Sequence, residues 1–163
     1  MLRVGILSDT HGYFHPKLSS FFAPCEEIWH AGDFGNLDVA VKLRAIKPLF
    51  GVSGNIDGPE IRHEFPQIQL FQRQQITVLI THIGGRPGKY DKNLVDLLKI
   101  HQPNILVCGH SHILKVMYDQ HFNLLYINPG AAGKSGLHQV ITFVRFVIDG
   151  KDIRDLEVME LPR

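Results

Sequence analysis

Cysteine is nearly missing from this chain: Cys25 and Cys108 are the only two in 163 residues. They make no Cys-x-x-Cys pair and no disulfide framework, so they read as reduced thiols acting as small hydrophobes. Excess charge of either sign is missing too. The formal net charge is +1, which gives no electrostatic reason to expect a nucleic-acid polymer or an anionic membrane as partner. Long apolar runs are absent: no segment approaches the ~20 apolar residues of a membrane span. The opening stretch Met1 to Ser8 is too short for a signal-peptide core before it meets Asp9. A cytoplasmic location is the resulting expectation. With no internal repeat, low-complexity tract or linker, residues 1–163 are read as one domain.

What is present is a series of short apolar runs. Residues 2–8 read as a strand covered on both faces. Pro16 to Ala23 reads as a short helix with proline in its first turn. Ile28 to Ala31 is a second strand. Asn36 is placed to cap a helix through Ile46, with Val39, Leu43 and Ile46 on one face. Pro48 to Val52 is a third strand. Strand and helix alternate through the first third, the pattern of an α/β layered fold with parallel pairing. Ile68 to Phe71, Ile76 to Thr81 and Ile105 to Cys108 read as further strands. Leu94, Leu97, Leu98 and His101 share one helical face, and Gly84 to Gly88 is a loop. Leu114 to Tyr118, Leu124 to Ile127 and Val140 to Ile148 are strands separated by short turns, so the second half is antiparallel or mixed.

Each of five runs ends in a polar motif. Asp9-Thr10-His11, Gly32-Asp33, Gly54-Asn55, Thr81-His82 and Gly109-His110-Ser111-His112 follow in order. Together they offer two carboxylates, one amide and four imidazoles. Hard oxygen and imidazole nitrogen in that number can hold two divalent cations, and paired cations point to phosphate-ester chemistry. Sites in open α/β sheets form at the carboxyl ends of strands, so loops following strands of one sheet can converge on one edge. Gly32, Gly54 and Gly109 each precede a candidate ligand, where a turn without a Cβ can swing the next side chain inward.

The five blocks, with the stretch His30-Ala31-Gly32-Asp33 and a closing Asn128-Pro129-Gly130, resemble the calcineurin-like metallophosphoesterase family. The likeness is to its small, single-domain prokaryotic phosphodiesterases, and it covers nearly the whole chain. The resemblance implies a four-layer αββα sandwich of two mixed sheets flanked by helices, with a dinuclear site at one edge. It implies Asp9, His11, Asp33 and His112 around one cation, and Asp33, Asn55, His82 and His110 around the other, with Asp33 shared. Manganese is the first expectation for the ions, with Ni, Fe, Co, Zn or Mg also suited to mixed N and O ligands. The implied reaction is hydrolysis of a small phosphate ester, most simply a diester, by a water or hydroxide held between the metals. Asp33, Asn55, His82 and Asp57 are the residues expected to carry catalysis. Asp57 reads either as a partner holding a ligand in place or as a turn aspartate. A homodimer is a further family-level expectation. Competing readings are a phosphomonoesterase or nucleotidase, and a non-catalytic scaffold on the same fold, like the eukaryotic retromer subunit.

The chain departs from the family pattern at Ile56, where the block usually reads Gly-Asn-His. Isoleucine can neither contact a phosphate nor protonate a leaving oxygen. Gly133-Lys134-Ser135 lacks the first glycine of a phosphate loop and leads into a strand, so it is set aside. Arg86 and Lys89 read as a solvated loop rather than a phosphate contact. His15, His63, His101, His121 and His138 stand outside any motif and read as surface or helix-face residues. His30 is expected to make structural hydrogen bonds, and Trp29 to lie in the core.

Overall fold

A computed structural model describes all residues 1–163. Its β1 (Leu2–Leu7), β2 (Glu27–His30) and β3 (Leu49–Gly51) pair in parallel, joined through α1 (Lys17–Phe22) and α2 (Leu37–Ile46). The sheet continues antiparallel on the far side of β1 through β11 (Val140–Asp149) and β12 (Asp152–Pro162). A second sheet runs in the order β4 (Ile68–Arg73), β5 (Ile76–Thr81), β8 (Ile105–Val107), β10 (Leu124–Pro129), β9 (Leu114–Asp119). Its centre, β5–β8–β10, is parallel and its two edges are antiparallel. Both sheets are mixed.

Alternation along the strands accounts for the layering. Ile28 and Leu7 point to one face of the first sheet, where they join Leu18, Phe22, Val39 and Leu43 of α1 and α2. Val4, Ile6 and Trp29 point to the other face and meet Val78, Ile80, Ile105 and Val107 of the second sheet. Leu79 and Leu106 turn away from that interface and pack on Leu94 and Leu98 of α4 (Lys92–His101). The result is helix, sheet, sheet, helix: the αββα sandwich. Doubly covered strands explain why the runs are apolar without alternation.

The expected elements appear, with four differences. The ligand-bearing strands do not share one sheet: β1, β2 and β3 lie in the first and β5 and β8 in the second. The stretch from Gly84 is a small hairpin, β6 (Gly85–Arg86) and β7 (Lys89–Tyr90), rather than a plain loop. A short helix α3 (Pro59–Glu64) and the long β12 were not expected. Of the face proposed for α4, Leu94 and Leu98 are buried while His101 is exposed. The cap is as expected: the Asn36 side chain accepts the Val39 amide at 3.2 Å. No helix is long and apolar enough to cross a membrane.

Candidate metal centre

The carboxyl ends of β1, β2 and β3 and those of β5 and β8 meet at one edge of the sandwich. Backbone bonds tie the turns together there. Asp9 N–H donates to Gly32 C=O at 2.9 Å, His11 N–H to Asp33 C=O at 3.1 Å, and Gly109 N–H to His82 C=O at 3.0 Å. Asp9, His11, Asp33, His110 and His112 all have φ between 46° and 73°. Left-handed backbone is uncommon outside glycine and costs of order 1 kcal/mol or more per residue. Nine non-glycine residues adopt it, and five of them are in the predicted ligand set, so the strain is concentrated where the candidate ligands are.

Each of the two aspartates divides its oxygens between two tasks. Asp9 Oδ2 accepts the Ser8 hydroxyl at 2.6 Å and the His110 amide at 3.0 Å. Its Oδ1 is buried and has no hydrogen-bond partner. That atom faces His112 Nε2 at 3.3 Å and the Nε2 atoms of His11 and His82 at 3.7 Å each. Asp33 Oδ1 accepts the Ile56 amide at 3.1 Å. Its Oδ2 faces His82 Nε2 at 3.1 Å and His11 Nε2 at 3.5 Å. His11 Nε2 and His82 Nε2 are also buried without hydrogen-bond partners. Orphaned buried polar atoms are costly, and here three converge on one point. Two groups have ligand atoms close enough to hold an ion: Asp9, His11 and His112, and Asp33, His82 and His110. The donor chemistry fits divalent cations. Each group draws on both sheets.

The imidazoles are set in usable tautomers. His82 Nδ1 lies 2.7 Å from the Ala31 carbonyl, so Nδ1 carries the proton and the lone pair of Nε2 points inward. His112 Nδ1 meets His138 Nδ1 at 3.2 Å, and His138 Nε2 faces the Gly133 carbonyl at 2.7 Å. A carbonyl only accepts, so His138 Nε2 donates. Its Nδ1 then accepts from His112, which leaves His112 Nε2 free for an ion. His110 Nδ1 faces Asn55 Oδ1 at 3.1 Å. Asn55, expected as a ligand, sits exposed at the rim and turns its amide oxygen to His110.

Electrostatics follow from this packing. Burial pushes the Asp9 carboxyl up, but His11, His112 and His82 around it outweigh that and hold it well below the usual range. Burial likewise opposes the drop at Asp33, which the neighbouring His82 nonetheless imposes. Asp9 raises the His11 pKa against a burial penalty. At His82 burial acts downward, and Asp33 and Asp9 reverse it to a net rise. His30 is different: complete burial lowers it to about 3. Its Nδ1 accepts the Gly32 amide at 3.1 Å, its Nε2 lies 3.0 Å from Thr10 Oγ1, and its ring stacks on Phe34. It is the structural residue expected.

Support comes from residues around the ligands, among them Asp57, which was expected to carry catalysis and instead binds backbone amides. The Asp57 carboxylate accepts amides from Gly54 at 2.8 Å, Gly35 at 2.9 Å and Phe34 at 3.2 Å. It therefore ties the Asp33 loop to the Asn55 loop and presents no free oxygen edge to the ions: a positioning residue. Arg62 of α3 donates to the carbonyls of Asp57 at 2.6 Å and Gly54 at 3.0 Å. Asn128 Nδ2 donates to Gly109 C=O and Ser111 Oγ, both at 3.0 Å, bracing the His110–His112 turn. His138, read as a surface residue, instead stands behind His112. Only its position 26 residues along the chain hid this, because no local spacing links the two. Ile56 is 47% exposed at the rim; its backbone rather than its side chain serves Asp33.

Such a centre, carboxylates and imidazoles at the strand ends of an αββα sandwich, defines a divalent-cation-binding protein. The model of the calcineurin-like phosphoesterase superfamily domain matches residues 2–151. The chain belongs to that superfamily. A probable metallophosphoesterase of Mycoplasma pneumoniae is 33% identical over 140 residues, spanning 80% of this chain and 79% of that protein. Among solved structures, an archaeal protein described as a novel phosphodiesterase superposes with a TM-score of 0.75 at 23% identity, covering 97% of this chain and 100% of that one. Vps29 of Chaetomium thermophilum superposes with a TM-score of 0.79 at 16% identity, covering 99% and 97%. At these identities the solved structures bear on the fold alone.

Proposed function

We propose that the protein is a metal-dependent phosphodiesterase. Asp9, His11, Asp33 and His112 would hold one divalent cation and Asp33, Asn55, His82 and His110 a second, with manganese the first candidate. The observation that carries this reading is the convergence of Asp9 Oδ1, His11 Nε2 and His82 Nε2, buried and without partners, on one point. Cations bound there would lower the pKa of an attacking water and neutralise charge on the phosphoryl oxygens. The chain's own residues set the stage. Ser8, Ile56 and the His110 amide hold the carboxylates, Ala31 and His138 hold the imidazoles, and Asp57 keeps two loops in register. Ile56 supplies no proton to the leaving oxygen.

Diesters are favoured over monoesters by the surroundings. Two clefts open beside the ligands. One, of about 470 Å³, runs past Asn55 and His82 toward Leu94 and Leu97. The other, of about 540 Å³, begins at His110. A diester has an arm for each. The small size of such a substrate fits clefts of this volume.

The test is hydrolysis of bis(p-nitrophenyl) phosphate and p-nitrophenyl phosphate by metal-stripped protein, with Mn, Ni, Mg, Co or Zn restored and Asp33→Ala in parallel. The expected result is metal-dependent turnover, faster on the diester and lost in the variant. A second reading, a protein-binding scaffold on the same fold, is favoured by Ile56. Protein that binds two ions yet turns over neither ester with any metal would carry the weight to it.

A further inference from the structure

The cleft that begins at His110 is lined by Arg86, Lys89 and Lys115 and by no carboxylate. None of these three cations makes an ion pair. On a chain with a net charge of +1, three unpaired cations around one concavity form a local positive field.

The cleft is also held in shape. Arg86 and Lys89 are paired across the β6–β7 hairpin. That hairpin is anchored from below. The Tyr126 hydroxyl donates to Gly85 C=O at 2.6 Å, the Tyr90 hydroxyl donates to Asp119 at 2.6 Å, and Asp91 N–H donates to Gly84 C=O at 3.0 Å. Lys115 comes from β9, where it is paired with Asn128 of β10. Asn128 in turn holds the Ser111 hydroxyl and the Gly109 carbonyl. The strands that carry the cations are thus tied to the same framework as the metal-ligand turn. The two clefts differ in character: the one past His82 is walled by Ile68, Ile83, Leu94 and Leu97 with Arg62 and Asp91 both present, whereas the charged residues of this one are all cations.

We infer that the cleft formed by Arg86, Lys89 and Lys115 is a binding subsite for a second anionic group on the substrate. Resting on the diesterase reading, this narrows the substrate class. One ester arm carries a further phosphate or comparable dianion and lies over His110; the other is a less polar group and lies toward Leu94 and Leu97. A terminal phosphate offers three acceptor oxygens to a planar guanidinium and two ammonium groups, the pairing that such cations make best.

The experiment compares two chromogenic diesters, thymidine 5′-(p-nitrophenyl phosphate) and the same ester bearing a 3′-phosphate, on metal-loaded protein. The expected result is a KM about tenfold lower for the 3′-phosphorylated ester. That advantage should shrink with salt and disappear in the triple variant Arg86→Ala, Lys89→Ala, Lys115→Ala. Equal KM values in the wild-type protein, or an advantage that survives in the triple variant, would overturn the subsite and leave the diesterase reading intact. If neither ester is turned over, the diesterase reading falls, and calorimetric binding of thymidine 3′,5′-bisphosphate against thymidine 5′-monophosphate decides the subsite by itself. Tighter binding of the bisphosphate, lost in the triple variant, supports it; equal binding removes it.

Discussion

His112 Nδ1 meets His138 Nδ1 at 3.2 Å, and His138 passes the contact on to the Gly133 carbonyl. This short chain sets which nitrogen of His112 is free. Replacing His138 with alanine leaves the His112 ring able to rotate and to adopt the other tautomer. Losses of this kind weaken metal binding by ~10–100-fold. His138→Ala is expected to fall in that range when titrated with Mn or Zn by calorimetry. His138→Gln, which can still accept from His112, is expected to recover part of the affinity. Unchanged affinity in His138→Ala would show that the contact does not position the ligand.

Two glycines stand where the ligand loops touch. A Cβ at Gly54 would run into the Asp33 carboxylate, and one at Gly109 would run into Ser8 Oγ. Neither has a left-handed φ, so the need is space rather than backbone conformation. Gly54→Ala must push Asp33 off its position or displace the loop, at a cost of ~1–3 kcal/mol. Thermal unfolding with and without metal is the check. The expected result is a lowered Tm and a smaller metal-induced rise than in the wild-type protein.

The metal-free protein should be most stable near pH 6.5, the ordinary histidine value. His11 and His82 have raised pKa values. Their contribution is complete below the unfolded value and is lost as pH climbs through the folded one. His30 is lowered to about 3, so below 6.5 the unfolded chain binds a proton that the folded chain refuses, and stability drops there too. Metal should reverse the upper limb. Ions displace protons from the imidazoles, so their stabilisation grows with pH. Melting curves across this range, with chelator and with Mn, would read both limbs; a metal-free Tm still rising above pH 7.5, about a unit past the ordinary value, would contradict the assignment.

On the diesterase reading, Ile56 predicts the kinetic character. With no proton donor at this position, rates should depend steeply on the leaving group. Ile56→His is expected to accelerate poor leaving groups more than p-nitrophenolate, by ~10-fold or more. A uniform gain across leaving groups would assign the change to binding instead.

The candidate ligands were more legible in the sequence than the residues around them. Asp9, His11, Asp33, His82, His110 and His112 were legible because each follows an apolar run. Strand ends are where an α/β fold puts its chemistry. The division of their strands between two sheets was not legible: Val78 and Ile80 look the same whether they face a sheet or a helix. Lys89 and Arg86 looked like ordinary loop charge, since Tyr126 and Asp119, to which the hairpin is anchored, lie far away in the chain. His138 was missed for the same reason; Arg62 was missed because it lies on the unexpected helix α3 and serves backbone carbonyls, which no side-chain pattern marks. β12 was missed because its face away from the core is polar and its pattern is broken, with Asp155 at φ 55°.

Each ligand group takes members from both sheets: Asp9 and His11 with His112, and Asp33 with His82 and His110. An ion seated in either would therefore be a rivet through the two halves of the sandwich, joining parts of the chain about fifty to a hundred residues apart. Unlike a disulfide, for which Cys25 and Cys108 are not arranged, it can be withdrawn. Chelation would unfasten that edge and let it breathe, so the supply of metal around the protein would set its mechanical stiffness.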